Sequence, residues 1–227
     1  ENSESYVQGY FEYDSKKSGG VTVSNLRIAD HPIHAPYYVT NPNIIVVAKE
    51  EYFEQFAILS EVQKNAILLI NTANPVSIFE KMSSSDLKQL QENHVSVVAI
   101  DAEGIASTHH LKGKINKIME VAILSYLGYD DAIALVSETI KKEFKTKGEE
   151  VVNNNIAAIQ SVFEHLQKLE VVPDIHKSDR NEEYTLIEKI RRRMGNEIPV
   201  SSIMPYADGT FPGGLSKFEK RKIARRV

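Results

Sequence analysis

Short apolar runs alternate with amphipathic stretches through the first half of the chain, and this alternation predicts strands and helices in turn. Residues 44–48, 66–72 and 95–101 are largely apolar runs, typical of strands buried on both faces of a parallel sheet. Apolar residues at helical spacing follow the first run over residues 50–62, and a serine-capped helix precedes the third. This order of elements predicts an α/β fold with a doubly wound, mostly parallel sheet and flanking helices.

Two strands of another kind are predicted near the N-terminus. Residues 5–14, SYVQGYFEYD, are rich in tyrosine and phenylalanine, which favour strands, and Gly9 marks the place of a bulge. Residues 21–29, VTVSNLRIA, alternate between apolar and polar positions. We expect the apolar side chains of this second strand on inner faces of the fold: Val21, Val23, Leu26 and Ile28.

From Gly113 onward the pattern becomes mostly helical, and it fades near Pro173. The predicted helices are residues 114–128, 130–144 and 148–169. Residues 1–172 are therefore predicted to form one α/β domain, and residues 173–227 a mainly helical or irregular extension. Both ends of the sequence are abrupt, and we expect the chain to be a piece of a longer protein.

Composition narrows the class of protein. The chain of 227 residues is 42% apolar, which is enough for a large core, and its formal net charge is −4, so any anion site must be local. It contains no cysteine, and therefore neither disulfides nor thiolate-bound zinc or iron–sulfur clusters. No apolar run reaches about 18 residues, and no signal peptide is visible. We expect a cytoplasmic protein with neither nucleic acid nor a membrane as its partner.

The segment between the two N-terminal strands carries the strongest candidate chemistry. Its sequence, SKKSGG, combines hydroxyls, ammonium groups and a glycine pair: Ser15, Lys16, Lys17, Ser18, Gly19 and Gly20. The glycines permit positive φ and close backbone approach, so successive amides can form a nest for phosphate oxygens. Arg27, on the following strand, could reach the same oxyanions bidentately. The alternative is a hairpin turn with two solvated lysines, and spacing alone favours it, since the segment is neither a Walker loop nor a GxGxxG motif.

The histidines favour surface positions over a metal site. His31 and His34 are three residues apart, but a proline lies between them and no carboxylate cluster accompanies them. His109 and His110 are adjacent, so their side chains would diverge on a helix. No nucleophile elbow, carboxylate pair or Ser/His/Asp arrangement is visible in the sequence. The residues themselves therefore predict neither a catalytic residue nor a metal ligand.

Two further features leave alternatives open. Asp101 ends a buried strand, where ligands bind in open α/β sheets, but it could equally cap the helix that follows. The three consecutive arginines, Arg191 to Arg193, are expected to form a solvated helix face. The alternative for these arginines is docking on an acidic neighbouring domain.

Four longer motifs carry a family resemblance. YFEYDSKKSGGVTVSNLR, over residues 10–27, closely resembles the pattern YDSKKSGGxTxSHLR of the gamma-type central domain of pyruvate:ferredoxin (or flavodoxin) oxidoreductase. KINKIMEVAILSYLG and KTKGEEVVNNNIAAI resemble later helices of that domain. PYADGTFPGGLSKFEKR, over residues 205–221, is similar to the segment that leads into the ferredoxin-like domain, PYADGTFPSGTxxYEKR. The resemblance covers nearly the whole chain.

The resemblance implies a domain of a large enzyme that oxidises a 2-oxo acid, typically pyruvate, with coenzyme A to an acyl-coenzyme A and CO₂. In that family thiamine diphosphate carries the carbanion chemistry, and 4Fe-4S clusters pass electrons to ferredoxin or flavodoxin, with both cofactors in other domains. The gamma-type domain is associated with coenzyme A, so the SKKSGG loop with Arg27 becomes the predicted site for its phosphates. The isolated chain is expected to be inactive, with the other domains of the same enzyme as its partners.

The sequence departs from the family pattern at three places. Asn25 replaces the family's histidine in SHLR, GGLSKF replaces SGTxxY, and an upstream strand with a glycine-rich turn (GxDGTVGANK-like) is missing. The third departure is expected to weaken coenzyme A binding by this chain and to leave apolar surface uncovered, through which it would form a homodimer. The alternative hypothesis for function is a purely structural module that packs the thiamine and ferredoxin domains together.

Overall fold

The computed structural model describes residues 5–13, 21–171 and 184–209. The strands in these ranges are β1 (Tyr6–Tyr13), β2 (Thr22–Ala29), β3 (Ile44–Val47), β4 (Ile67–Asn71), β5 (Ser96–Ile100) and β6 (Gln167–Leu169). The α-helices are α1 (Tyr52–Gln55), α2 (Ile78–Lys81), α3 (Ser84–Glu92), α4 (Ala102–Thr108), α5 (Asn116–Tyr126), α6 (Ala132–Glu143), α7 (Glu149–Gln160), α8 (Val162–His165) and α9 (Leu186–Arg191). Short 3₁₀ turns lie between several of them. The predicted division between residues 172 and 173 lies outside the described residues.

The main sheet contains β3, β4, β5 and β6 in that spatial order. β3, β4 and β5 pair in parallel, while β6 is antiparallel to β5, with Leu169 opposite Val97. Helices connect the parallel strands, as the alternating apolar runs require. The structure therefore confirms the predicted α/β fold with a mostly parallel sheet and flanking helices.

The core lies in two layers, one on each face of the main sheet. On the first face, Leu68 and Ile70 of β4 pack with apolar residues of α1, α2 and α3. On the second face, Leu69 of β4 packs with apolar residues of α4 to α8. Completely burying one large apolar side chain stabilises a fold by roughly 2 kcal/mol. Because each layer buries several such side chains of β4, β5 and the helices, both layers contribute to holding the two strands in place.

β3 is less buried than its apolar sequence predicts. Val47 is buried, but Val46 is 38% exposed and Ile44 and Ile45 are only partly covered. β3 pairs with β4 on one side and stands at the end of the main sheet among the described residues. The prediction of a strand is confirmed, and the prediction that both its faces are buried is wrong.

The helix predicted over residues 50–62 is short. Only α1 is helical, because the next backbone N–H groups find partners outside the helix: Ala57 N–H donates to the carbonyl of Arg192 at 3.0 Å, and Leu59 N–H donates to Asp86 Oδ1 at 3.1 Å. Phe53, Ala57 and Leu59, three positions of the predicted apolar stripe, are nevertheless buried. Apolar spacing therefore identified these buried residues correctly, while hydrogen bonds to distant residues determined where the helix ends.

The last helix predicted for the α/β domain also ends early. α7 and α8 account for it up to His165, and Phe163 of the expected apolar stripe is 47% exposed. Leu166 then adopts an extended conformation, and the chain forms β6 along the free side of β5. The predicted helix is wrong for these residues because strand pairing with β5 satisfies their backbone groups.

The C-terminal extension contains α9 and several 3₁₀ turns, as predicted. α9 begins with a capping box, in which the Thr185 and Glu188 side chains each bind the backbone of the other residue. Two arginines that directly follow α9 contact the rest of the chain: Arg192 Nη1 donates to the Glu54 carbonyl at 2.9 Å, and Arg193 Nη1 lies 3.2 Å from Glu12 Oε2. The expectation of a solvated arginine face is therefore wrong for Arg192, which is partly buried, while Arg191 and Arg193 are exposed.

Within the three described ranges, every helix is too short or too polar to cross a bilayer.

One buried carboxyl links three parts of this fold. Asp86 is 1% exposed; its Oδ1 accepts the Leu59 N–H, and its Oδ2 accepts the hydroxyl of Ser83 at 2.8 Å. Burial raises the pKa of Asp86, and hydrogen bonds from Ser83 and Leu59 only partly offset this. A raised folded-state pKa means that Asp86 lowers stability as the pH rises from its ordinary pKa of 3.8 through the folded value.

We predict that Asp86→Ala lowers the free energy of unfolding by about 2–4 kcal/mol, because it leaves the Leu59 amide and the Ser83 hydroxyl without their partner. Asp86→Asn keeps an acceptor for the amide and removes the charge. It should stay within about 1 kcal/mol of the parent at neutral pH and lose the downward slope of stability with rising pH. Urea unfolding from pH 3 to pH 8 measures both, and an Asp86→Ala variant as stable as the parent would contradict the assignment.

Candidate functional site

β1 and β2 form an antiparallel hairpin separate from the main sheet. Their register is continuous from Tyr6 opposite Ala29 to Tyr13 opposite Thr22, so the predicted bulge at Gly9 is wrong. Residues 14–21 connect the two strands. Six predicted site residues in that connection lie outside the described residues: Ser15, Lys16, Lys17, Ser18, Gly19 and Gly20. Their role as an anion site stays a prediction.

One face of the hairpin, the inner hairpin face, is polar and binds the rest of the chain. Asn25 is central to it: its Oδ1 accepts the Val39 N–H at 3.0 Å, and its Nδ2 donates to Glu12 Oε1 at 2.9 Å. The other oxygen of Glu12 meets Arg193. The residue that departs from the family motif thus holds β1, β2 and the following segment together.

Arg27 also lies on the inner hairpin face. Its guanidinium donates to the carbonyls of Tyr37 and Tyr38, both at 2.6 Å, and to Gln8 Oε1 at 3.1 Å. The guanidinium carbon is 4.9 Å from the centre of the Tyr37 ring, a cation–π distance. These contacts fasten β2 to the segment that follows it. A direct contact of Arg27 with an anion stays a prediction.

An open groove of about 480 Å³ lies beside β2. Its lining includes Arg27 and Ile28 of β2, and His31, His34 and Asn41 of the segment that follows β2. His31 Nδ1 is 2.6 Å from Asp30 Oδ1, and this hydrogen bond lowers the pKa of the exposed Asp30 carboxyl. The groove therefore combines a cation, two imidazoles and apolar walls, next to the strand that leads out of the SKKSGG loop.

A second polar cluster lies where the parallel strands of the main sheet end. Glu50 follows β3, and its carboxylate accepts hydrogen bonds from the hydroxyl of Thr72, at the end of β4, and from Lys81 Nζ in α2. The bond from Lys81, followed by that from Thr72, lowers the pKa of Glu50. The same bond to Glu50 raises the pKa of Lys81. Both groups are held in their charged forms.

Buried polar groups join the strand ends beside this cluster. The amide of Asn71 donates to the Ala48 carbonyl at 3.1 Å and accepts the Ala102 N–H at 3.0 Å, so it bridges the ends of β3 and β5. Asp101 Oδ1 accepts the Gly104 N–H at 2.7 Å, which makes Asp101 the N-cap of α4. A Cβ atom on Gly104 would lie 2.3 Å from Asp101 Oδ2, so a larger residue here would displace the capping carboxylate. Of the two interpretations of Asp101, the structure supports the cap.

The sequence reasoning missed Glu50, Thr72 and Lys81. The available signal was position, because Glu50 lies two residues after the first predicted buried strand and Thr72 is the last residue of the second. Lys81 gave no such signal, since only the folding of α2 brings it to Glu50. Across the described ranges, no three His, Asp or Glu side chains lie together as metal ligands would.

Comparison with known proteins places this geometry in a family. Residues 2–165 match the family described as pyruvate ferredoxin/flavodoxin oxidoreductase. Residues 184–224 match a second family, described only as a domain of unknown function. The first match covers well over half of the chain and includes the hairpin, the groove and the three parallel strands of the main sheet, β3 to β5.

Relatives match over the full chain. The pyruvate:ferredoxin oxidoreductase of Moorella thermoacetica is 32% identical over 241 residues, and the pyruvate-flavodoxin oxidoreductase of Trichormus variabilis is 31% identical over 245 residues. Each alignment covers 100% of this chain and 20% of the relative, so the chain spans about a fifth of their length. The crystal structure of pyruvate oxidoreductase subunit PORC from Thermotoga maritima superposes with a TM-score of 0.55 at 24% identity, covering 73% of this chain and 83% of that one, which shows a shared fold.

We predict that the Glu50 cluster stabilises the fold in a pH-dependent way. Because the folded-state pKa of Glu50 lies below its ordinary value of 4.5, its contribution is present above about pH 4.5 and is lost as the pH falls through the folded value. Glu50→Gln should therefore lower the midpoint of thermal unfolding by a few degrees at pH 7, with the difference from the parent shrinking below pH 4.5.

Glu92→Gln is the matched control, because Glu92 pairs with Lys88 at 3.7 Å on an exposed helix surface and should contribute little. Equal effects of the two substitutions at pH 7, or a Glu50→Gln difference that is constant down to pH 3, would contradict the prediction.

Proposed function

The chain belongs to the pyruvate ferredoxin/flavodoxin oxidoreductase family, and we propose that it is the coenzyme A-binding module of a longer enzyme of this family. The whole enzyme would oxidise pyruvate with coenzyme A to acetyl-coenzyme A and CO₂, and pass the two electrons to ferredoxin or flavodoxin. The names of the Moorella and Trichormus relatives support this reaction class. The module itself would perform no bond-breaking step.

The cofactors of electron transfer would be held outside this chain. Thiamine diphosphate and 4Fe-4S clusters belong to the proposed reaction, and clusters are ligated by cysteine thiolates, which this chain does not possess. The chain's contribution would be to bind and orient coenzyme A, whose pyrophosphate and 3′-phosphate carry several negative charges.

The observation that carries the proposal is the attachment of the hairpin. The SKKSGG segment joins two strands that pair without interruption up to Tyr13 and Thr22. This end of the hairpin is fixed to the rest of the chain, because Glu12 pairs with Arg193 and Asn25 accepts the Val39 N–H. Two lysines and a glycine pair would therefore extend from a base that is already held in place. Such preorganisation reduces the entropy lost when an anion binds.

Arg27 would act mainly by holding this base. Three of the five N–H groups of a guanidinium are accounted for by Gln8, Tyr37 and Tyr38. We propose that Arg27 reaches a phosphate oxygen only through the other two, and that Lys16 and Lys17 supply most of the charge. The whole chain is acidic, with a formal net charge of −4, so this local cluster would determine where an anion binds.

A purely structural role is the alternative, and one observation favours it. The face of the hairpin opposite Arg27 is apolar and exposed, with Phe11 57% and Leu26 53% accessible. Surfaces of this kind are typical of contacts between proteins or domains. Under this alternative the module would hold other domains together without binding coenzyme A.

We predict that Lys16→Ala with Lys17→Ala in the full-length enzyme raises the KM for coenzyme A by about 10- to 100-fold, since each lost charge-assisted contact weakens binding by roughly 1.5–3 kcal/mol before compensation by water. The turnover number at saturating coenzyme A should change little. Steady-state kinetics with varied coenzyme A and fixed pyruvate measures both quantities.

Lys141→Ala with Lys142→Ala is the matched control, because these two lysines are likewise adjacent in sequence, and they are exposed in the last turn of α6. An unchanged KM for coenzyme A in the Lys16 and Lys17 variant, together with poorer assembly of the enzyme, would favour the structural alternative.

A further inference from the structure

The hairpin carries an apolar surface on the side opposite the inner hairpin face. The antiparallel register brings five large apolar side chains to this outer hairpin face: Val7, Phe11, Tyr13, Leu26 and Ile28. Their exposed fractions are 64%, 57%, 74%, 53% and 38%, respectively. Leu26 and Ile28 were expected on an inner face, and the structure shows that this expectation is wrong. Val23, in contrast, is partly buried on the inner hairpin face.

The polarity of the hairpin is the reverse of the usual arrangement. An antiparallel sheet with one solvated face normally turns its apolar side chains toward the core and its polar ones toward water. Here Gln8, Glu12, Asn25 and Arg27 face the body of the chain and use their hydrogen bonds there. A two-stranded hairpin has little stability of its own in water, so an uncovered apolar face is an additional liability.

We propose that the outer hairpin face is a docking surface for another segment of the same full-length polypeptide, in the form of one amphipathic helix. The eight residues of this face include no charged side chain: Val7, Gly9, Phe11, Tyr13, Thr22, Ser24, Leu26 and Ile28. The matching surface of the occupant must therefore be an apolar stripe, such as one face of a helix presents.

The dimensions of the hairpin fit a single helix. Two strands about 4.8 Å apart, with their side chains, make a surface about 10 Å wide, and the six residue steps from Val7 to Tyr13 extend it over about 20 Å. An α-helix is about 10 Å in diameter and reaches 20 Å in about 14 residues. Gly9 lies between Val7 and Phe11 and leaves a depression, with nothing within 4 Å of a Cβ placed on it. A large side chain of the occupant would fill this depression.

The source of the occupant follows from the length of the relatives. This chain covers 20% of the Moorella and Trichormus enzymes, so four fifths of a polypeptide of that length is available to cover the hairpin. Contacts within one polypeptide also form at a high effective concentration, which favours them over contacts between copies. The inference rests on membership of the family and does not depend on coenzyme A binding.

The first test uses the full-length enzyme with a photo-reactive benzoylphenylalanine at Phe11. The control position is Val76, which is also apolar and is 87% exposed on a 3₁₀ turn. Illumination should yield a cross-linked peptide from the Phe11 site to a segment outside residues 1–227 of the same molecule, and none from Val76. A cross-link between two copies, equal yields at the two sites, or no cross-link from Phe11 would each overturn the proposal.

The second test varies the size of the side chain at Gly9 in the same enzyme. If the face is covered, Gly9→Trp must displace the occupant and lower the midpoint of thermal unfolding by a few degrees, while Gly9→Ala has a smaller effect. If the face is free, neither variant meets an obstacle, and a larger side chain at a strand position should be neutral or stabilising. A midpoint that is independent of size therefore overturns the proposal. Because neither test measures the KM for coenzyme A, its failure is distinct from failure of the proposed function.

Discussion

Two central strands that must be covered on both faces determine most of this structure. All residues from Leu68 to Ile70 and from Val97 to Ile100 are buried, so β4 and β5 require an apolar layer on each side. α1 to α3 supply one layer and α4 to α8 the other. Asn71 and Thr72 at the end of β4 are buried, so their polar groups need partners within the protein. Asn71 finds them by accepting from one neighbouring strand end and donating to the other.

The hairpin is held in place by polar contacts rather than by apolar layers. It is attached to the rest of the chain through hydrogen bonds and an ion pair, with its apolar side chains on the outside. Polar attachment is directional, so it fixes the orientation of a strand more sharply than apolar packing of the same size. The contacts hold β1 and β2 at a defined position against residues 37–39 and Arg193. They also explain why Asn25 is compatible with the fold, although the family pattern has histidine there: the amide both donates and accepts within the hairpin.

The sequence predicted the elements of this fold better than their environments. Continuous apolar runs identified β3, β4 and β5, because a strand of a parallel sheet with helices on both faces has few solvent-exposed positions and is therefore apolar along its length. The same argument failed for the burial of Val46, since a run of apolar residues does not reveal how many neighbours its strand has. Periodicity placed Phe53 and Leu59 in the core, but it did not predict where α1 ends, because that depends on Asp86 and Arg192 far away in the chain. Glu50 and Lys81 are 31 residues apart, and only the packing of α2 brings them together. The local sequence left two roles open for Asp101, a helix cap or a ligand-binding residue. The hydrogen bond from the Gly104 N–H to its carboxylate decided in favour of the cap.

Arg192 and its neighbours join the C-terminal part of the chain to the first half. Its carbonyl accepts the Ala57 amide, its guanidinium donates to the Glu54 carbonyl, and Met194 beside it is buried. The C-terminal piece is therefore built into the first half of the chain and is not an appendage of it. A polypeptide cleaved anywhere between β6 and α9 would remain one particle, and the two products would have to be separated by a denaturant.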